Sequence, residues 1–178
     1  MSSSSFELVA ITPENSVHTI PETLRLIKAL ALFERDPDAV VANEELLKKA
    51  FFGDDKAGGR TYAEGVLVYE NGQKPEDDGA KAIAMAVWYY TFSTWTGRGG
   101  MYLEDLFVED PHRGKGIAKK LFQHLGKICA ERELPRLEWV VINWNEEAIK
   151  VYDKMGALTM SEWDLRRLEG GALRKLAN

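Results

Sequence analysis

The chain has 178 residues, 45% of them apolar and 29% charged, with a formal charge of −5. That length and balance suit one domain with a substantial core, and an acidic sign without a basic stripe argues against nucleic acid as a partner. A single cysteine, Cys129, leaves no intrachain disulfide and fits a reducing compartment.

The MSSSSF start has neither the basic nor the apolar region of a secretory leader, and the longest apolar run, residues 82–90, is too short to span a bilayer. A cytoplasmic protein with a frayed stretch at residues 1–5 is expected. Residues 6–11 then read as a strand, and Pro21 starts a helix whose stripe is Leu24, Ile27, Leu30 and Ala31. A second helix covers residues 43–52, capped by Asn43. Loops at 53–60 and 71–79, rich in glycine and charge, flank a strand at 66–70. Residues 80–92 and 100–108 form an antiparallel pair joined by the polar segment 93–98.

Pro111 ends the second of these strands, and a helix opens near Gly114 with Ile117, Leu121, Leu125 and Ile128 at helical spacing. Ala118, Phe122 and Cys129 lie beside that stripe, so Cys129 reads as a small core residue. Residues 137–142 give a further strand. A helix over 146–155 is capped by Asn145 and ended by Gly156, and residues 163–168 close the sheet. The order is that of an α/β (α+β) fold, a mixed and mostly antiparallel sheet flanked by helices, in a single domain over residues 1–178.

The strand, basic glycine turn and helix between residues 102 and 125 make a seat for a diphosphate. Gly114 and Gly116 remove the Cβ atoms that would hold a ligand off the backbone, and first-turn N–H groups are free donors at the positive helix end. Arg113 and Lys115 add positive charge. The same residues can also be plain turn chemistry, and they match neither the P-loop nor the dinucleotide glycine pattern.

They do spell Arg-x-x-Gly-x-Ala, through Arg113, Gly116 and Ala118, directly after a strand. This resembles the acetyl-coenzyme A signature of the GNAT superfamily of N-acetyltransferases. LIKALALFE at 26–34, STWTGR at 93–98, YLEDLFV at 102–108 and NWNEEAIKVYDKMGA at 143–157 resemble, in that order, its diamine and thialysine branch. The resemblance implies the GNAT acyl-CoA N-acyltransferase fold, acetyl-CoA as co-substrate, no metal, a homodimer, and a small primary amine as acceptor. It also implies that the cofactor runs from Leu106, Phe107 and Val108 across Arg113, Gly114, Lys115 and Gly116 to Ile117, Ala118 and Lys119.

Acetyl transfer requires a base for the ammonium and an acid for the leaving thiolate. Tyr152 shares a helical face with Ala148, Ile149 and Met155, which by spacing alone is a core position; the resemblance makes it the acid and gives Asn145 the pantetheine arm. Glu104 and Asp105, adjacent in a strand, are expected to point to opposite faces, either as solvated edge positions or as charges with a task. By resemblance Glu104 relays the substrate proton and Asp105 holds a cationic group, with Glu34 also on the amine. Trp95 is either a loop anchor or an aromatic wall for an ammonium. Ser93 and Thr94 stand where the polyamine branch carries an acidic residue and proline, which favours a lysine-like amine, thialysine included, over a polyamine. A polyamine acetyltransferase, a noncatalytic acyl-CoA-binding module and protein lysine acetylation are the alternatives. His18, His112 and His124 have no metal-site spacing.

Overall fold

The computed structural model describes residues 6–53, 56, 58–70 and 72–177, so the fraying expected at residues 1–5 lies outside the described residues. Two compact units divide it, Met1–Val140 and Val141–Asn178.

The first unit is built on a sheet of β1 (Phe6–Ala10), β2 (Glu64–Glu70), β3 (Ala84–Ser93), β4 (Arg98–Val108) and β5 (Leu137–Glu138), in that spatial order. The first four strands pair antiparallel and β5 joins β4 in parallel. Three helices cover it: α1 (Ser16–Phe33), α2 (Glu44–Phe52) and α3 (Ile117–Glu131). Alternation along the strands makes two apolar faces. Val66, Val68, Ala84, Ala86, Trp88, Met101 and Leu103 pack with Ile117, Leu121 and Leu125 of α3. Their neighbours Leu67, Tyr69, Met85 and Val87 pack with Ile20 and Leu26 of α1 and Phe51 of α2. The expected α3 stripe is therefore the buried one.

Helix α1 starts five residues before the proline that was expected to open it. Asn15 builds the start: its Oδ1 accepts from Thr12 N at 2.9 Å and from Thr19 Oγ1 at 3.1 Å, and its Nδ2 donates to the Ala10 carbonyl at 2.8 Å. Pro21 forfeits the bond its N–H would have given, and burial of Thr19, Ile20, Thr23 and Leu26 offsets that loss. The buried stripe is this set, partly flanked by Ile27 and Leu30, and neither Leu24 nor Ala31 enters it. Helix α2 keeps the expected cap, with Asn43 Oδ1 accepting from Leu46 N at 2.9 Å.

Two expected strands are corrected. The one over 137–142 is reduced to Leu137–Glu138, which pairs in parallel with Met101 and Tyr102 of β4. Residues 163–168 form no strand; Trp163, Leu165 and Leu168 are exposed and pair with no ladder, which an extended segment needs to hold its backbone groups. The second unit instead contains α4 (Glu146–Lys154) and α5 (Gly170–Arg174). Among the described residues no helix is long and apolar enough to cross a membrane.

Gly65 of β2 lies against two side chains of the α1-side core: a Cβ there would sit 2.9 Å from both Ile11 Cδ1 and Phe51 Cε1, and 3.3 Å from the Ala86 carbonyl. Gly65→Ala is expected to destabilise the protein by about 1–3 kcal/mol through overpacking. Urea unfolding with an unchanged midpoint would contradict this packing.

Candidate active site

The hairpin of β3 and β4 carries a register shift. Val87 pairs with Asp105 but Trp88 pairs with Leu103, so Glu104 is an extra, unpaired residue on β4. This is a β-bulge. The core assignments give its consequence. Leu103 packs with the α3 face before the bulge, and Leu106 and Val108 pack with that same face after it, while Phe107 packs with the α1 face. Glu104 and Asp105 therefore both fall on the α1 side, which corrects the expectation that they point to opposite faces. Simple alternation fails because the bulge inserts one residue.

Electrostatics agree with this grouping. The Asp105 carboxyl is pushed up to about 6, first by burial, then by the negative charges of Glu104 and Glu34. Glu34, just past the C-terminus of α1, is itself raised by burial. Sequence reasoning missed an aromatic pair on the same side: the rings of Tyr89 and Tyr102 stack at 5.1 Å, and the Tyr89 phenol is raised by burial first and then by the charges of Glu104 and Glu138. Their facing register positions in the hairpin are the signal, visible once the pairing is known. Trp95 is not part of this group; it stands at the hairpin tip, 89% exposed, with Ser93 and Thr94 beside it.

Beyond Tyr102, β4 has no strand partner on its β5 side among the described residues, so that edge is open along Leu103 to Phe107, and at Val108 the carbonyl accepts from a side chain instead of a strand. The chain then enters the glycine loop. Gly114 and Gly116 have φ of 74° and 83°, a left-handed region that glycine enters without strain, and a Cβ on either would project into open space. Gly116 caps α3 with no side-chain hydrogen bond, leaving the first-turn N–H groups of Ile117, Ala118 and Lys119 without an internal acceptor. Lys115 and Lys119 are exposed beside them. This cradle fits an anionic diphosphate.

Arg113 behaves differently from the free phosphate charge expected of it. Its Nε donates to the Val108 carbonyl at 3.0 Å, and its guanidinium pairs with Asp110 at 2.6 Å and lies 4.5 Å over the Phe33 ring. Positive potential at the loop comes from the backbone and the two lysines.

In the second unit Asn145 Oδ1 caps α4 by accepting from Ala148 N at 3.3 Å. Tyr152 lies seven residues on, two turns along the same helix face. It is half-buried, and burial raises its phenol above the ordinary value. Among the described residues no three His, Cys, Asp or Glu side chains are grouped to hold a metal.

Residues 34–157, which span the carboxylates, the bulge and the glycine loop, match the model of the Acetyltransferase (GNAT) family. The chain is a GNAT-family acetyltransferase. This acetyltransferase is 34% identical to a bovine (Bos taurus) thialysine N-epsilon-acetyltransferase over 158 residues, covering 86% of this chain and 89% of that one. It is 32% identical to a Caenorhabditis elegans protein of the same name over 176 residues, covering 97% and 98%. Its fold is similar to that of an integron cassette protein from the mobile metagenome of V. cholerae, with a TM-score of 0.72, 25% identity and 99% of each chain covered.

Because the fold holds the Asp105 carboxyl above its ordinary 3.8, ionising it opposes folding: stability falls as pH rises from about 4 through about 6. Asp105→Asn is therefore expected to raise Tm by roughly 2–4 °C at pH 8, a relief on the order of 1 kcal/mol for a carboxyl partly open to solvent. The gain should vanish below pH 4. Thermal melts across that range check it, and a gain confined to low pH would reverse the assignment.

Proposed function

We propose that the enzyme transfers an acetyl group from acetyl-CoA to the side-chain amine of a small lysine-like amino acid, thialysine being the model substrate, directly within a ternary complex. The observation that carries this reading is the bulge at Glu104, which groups Glu34, Glu104 and Asp105 on the α1 side of the strand that leads into the glycine loop. Three carboxylates suit an ammonium, and the names of the two thialysine relatives point to the same class.

Acetyl-CoA, when bound, supplies an activated thioester. The N–H groups from Gly114 to Lys119 and the charges of Lys115 and Lys119 would hold its pyrophosphate, and the open β4 edge along Leu106 and Phe107 would hydrogen-bond its extended amide arm as an added strand does. Asn145 is assigned to the same arm.

Asp105 is assigned to the ammonium: a partly desolvated carboxylate gains most from a cationic partner, and binding one returns its proton affinity to the ordinary range. Glu104 is exposed, so it can pass the amine's proton to water. Tyr152, protonated at neutral pH as a phenol ordinarily is, donates to the departing thiolate. No side chain has to act as a covalent nucleophile. The protein is assigned to the cytoplasm, as a homodimer.

Thiol release from acetyl-CoA, measured with thialysine, lysine, spermidine, putrescine and a histone tail peptide, tests the assignment. Thialysine or lysine should give the highest kcat/KM. Spermidine leading would establish the polyamine reading instead, and no release with any amine by folded, CoA-binding protein would leave a binding module. Tyr152→Phe is expected to lower kcat by about 100-fold while the KM for acetyl-CoA stays within about twofold; unchanged turnover would return Tyr152 to the core.

A further inference from the structure

We propose that Arg113 is a positioning residue that couples the amine site to the cofactor loop, through its stacking on Phe33. The inference rests on the reading above, in which Glu34 serves the amine and the loop after Arg113 serves the pyrophosphate.

The guanidinium of Arg113 is turned back onto the protein. It is held by the Val108 carbonyl and by Asp110, and it lies over two rings, 4.5 Å from the Phe33 centroid and 5.7 Å from that of Phe107. Phe33 and Phe107 are themselves in contact, with centroids 6.5 Å apart and tilted by 51°. Phe33 is the last residue of α1, and Glu34 follows it directly. The loop is thus stacked on the residue that immediately precedes the proposed amine ligand.

A second fastening lies at the other end of the loop. Glu109, the residue after β4, pairs with Arg25 of α1 at 2.5 Å, and Arg25 is fixed in turn by Glu22 and the Ala82 carbonyl. Arg25 and Phe33 are eight residues apart, about 12 Å along the helix. The segment from Glu109 to Arg113 is therefore tied to α1 at two separated points. A ligand that orders the loop also orders the end of α1, so a second ligand meets an ordered site and binds more tightly. A planar guanidinium is required for the stack; an ammonium on a flexible stem does not reproduce it.

Calorimetric titration of CoA into the full-length protein, alone and with saturating thialysine, measures this coupling. Wild type should bind CoA at least about fivefold more tightly with the amine present. Arg113→Lys keeps the charge and loses the stack, and should bring the ratio to within about twofold of one. Phe33→Leu should do the same, and Phe33→Tyr should keep the wild-type ratio. Should Phe33→Leu fail to fold, Arg113→Lys and Phe33→Tyr decide the question. A wild type without coupling, or an Arg113→Lys protein that retains it, overturns the proposal. Gly116→Val separates the underlying reading: if it binds CoA as wild type does, the pyrophosphate assignment fails whatever the coupling ratios are.

Discussion

One extra residue in one strand governs this site. With Glu104 unpaired, β4 changes which of its positions face α1, and both carboxylates of the Glu104–Asp105 pair come to one side. Pairing with β5 ends at Tyr102, two residues before the bulge, and the following edge of β4 has no strand partner among the described residues. A bulge gives up ladder hydrogen bonds and sharpens the local twist. Here the hairpin continues on both sides of it, from Ala84 opposite Val108 to Ser93 opposite Arg98, so the local loss is carried by a long ladder.

Charge is distributed in keeping with that geometry. Burial, and then the neighbouring charges of Glu104 and Glu34, raise the proton affinity of Asp105. The glycine loop is a local donor site in a chain of net charge −5. Arg113, the cation that the motif seemed to supply, is paired with Asp110 and stacked on Phe33. Oriented N–H groups at the start of α3 remain the principal attraction, and they keep their direction because the backbone at Gly116 has its left-handed conformation.

Helix α1 backs both halves of the site. Its start is built by the side chain of Asn15, its middle is fixed by the Arg25 ion pairs, and its end presents Phe33 and Glu34. The Arg25 group is partly buried, and Glu22 also accepts from Ala82 N at 2.8 Å, so its charges are met by backbone groups as well as by each other. Such a satisfied network holds one helix position against the sheet.

Much was legible from the residues themselves. Apolar spacing in α3, the caps at Asn43 and Asn145, the antiparallel hairpin and the glycine loop follow from contacts within a few residues, which short words encode. The start of α1 was misread because Pro21 is a strong local signal, outweighed by a cluster of Asn15, Thr12 and Thr19 that exists after the chain turns back on itself. The strand over 163–168 was misread because strand formation requires a partner, and alternation cannot supply one. The bulge, the shared face of Glu104 and Asp105, the stacked Tyr89 and Tyr102, and the inward turn of Arg113 were decided by tertiary structure alone. Each depends on pairing register or on approach between segments far apart in the chain, and a one-residue shift in register reverses which face a side chain occupies without changing a single residue.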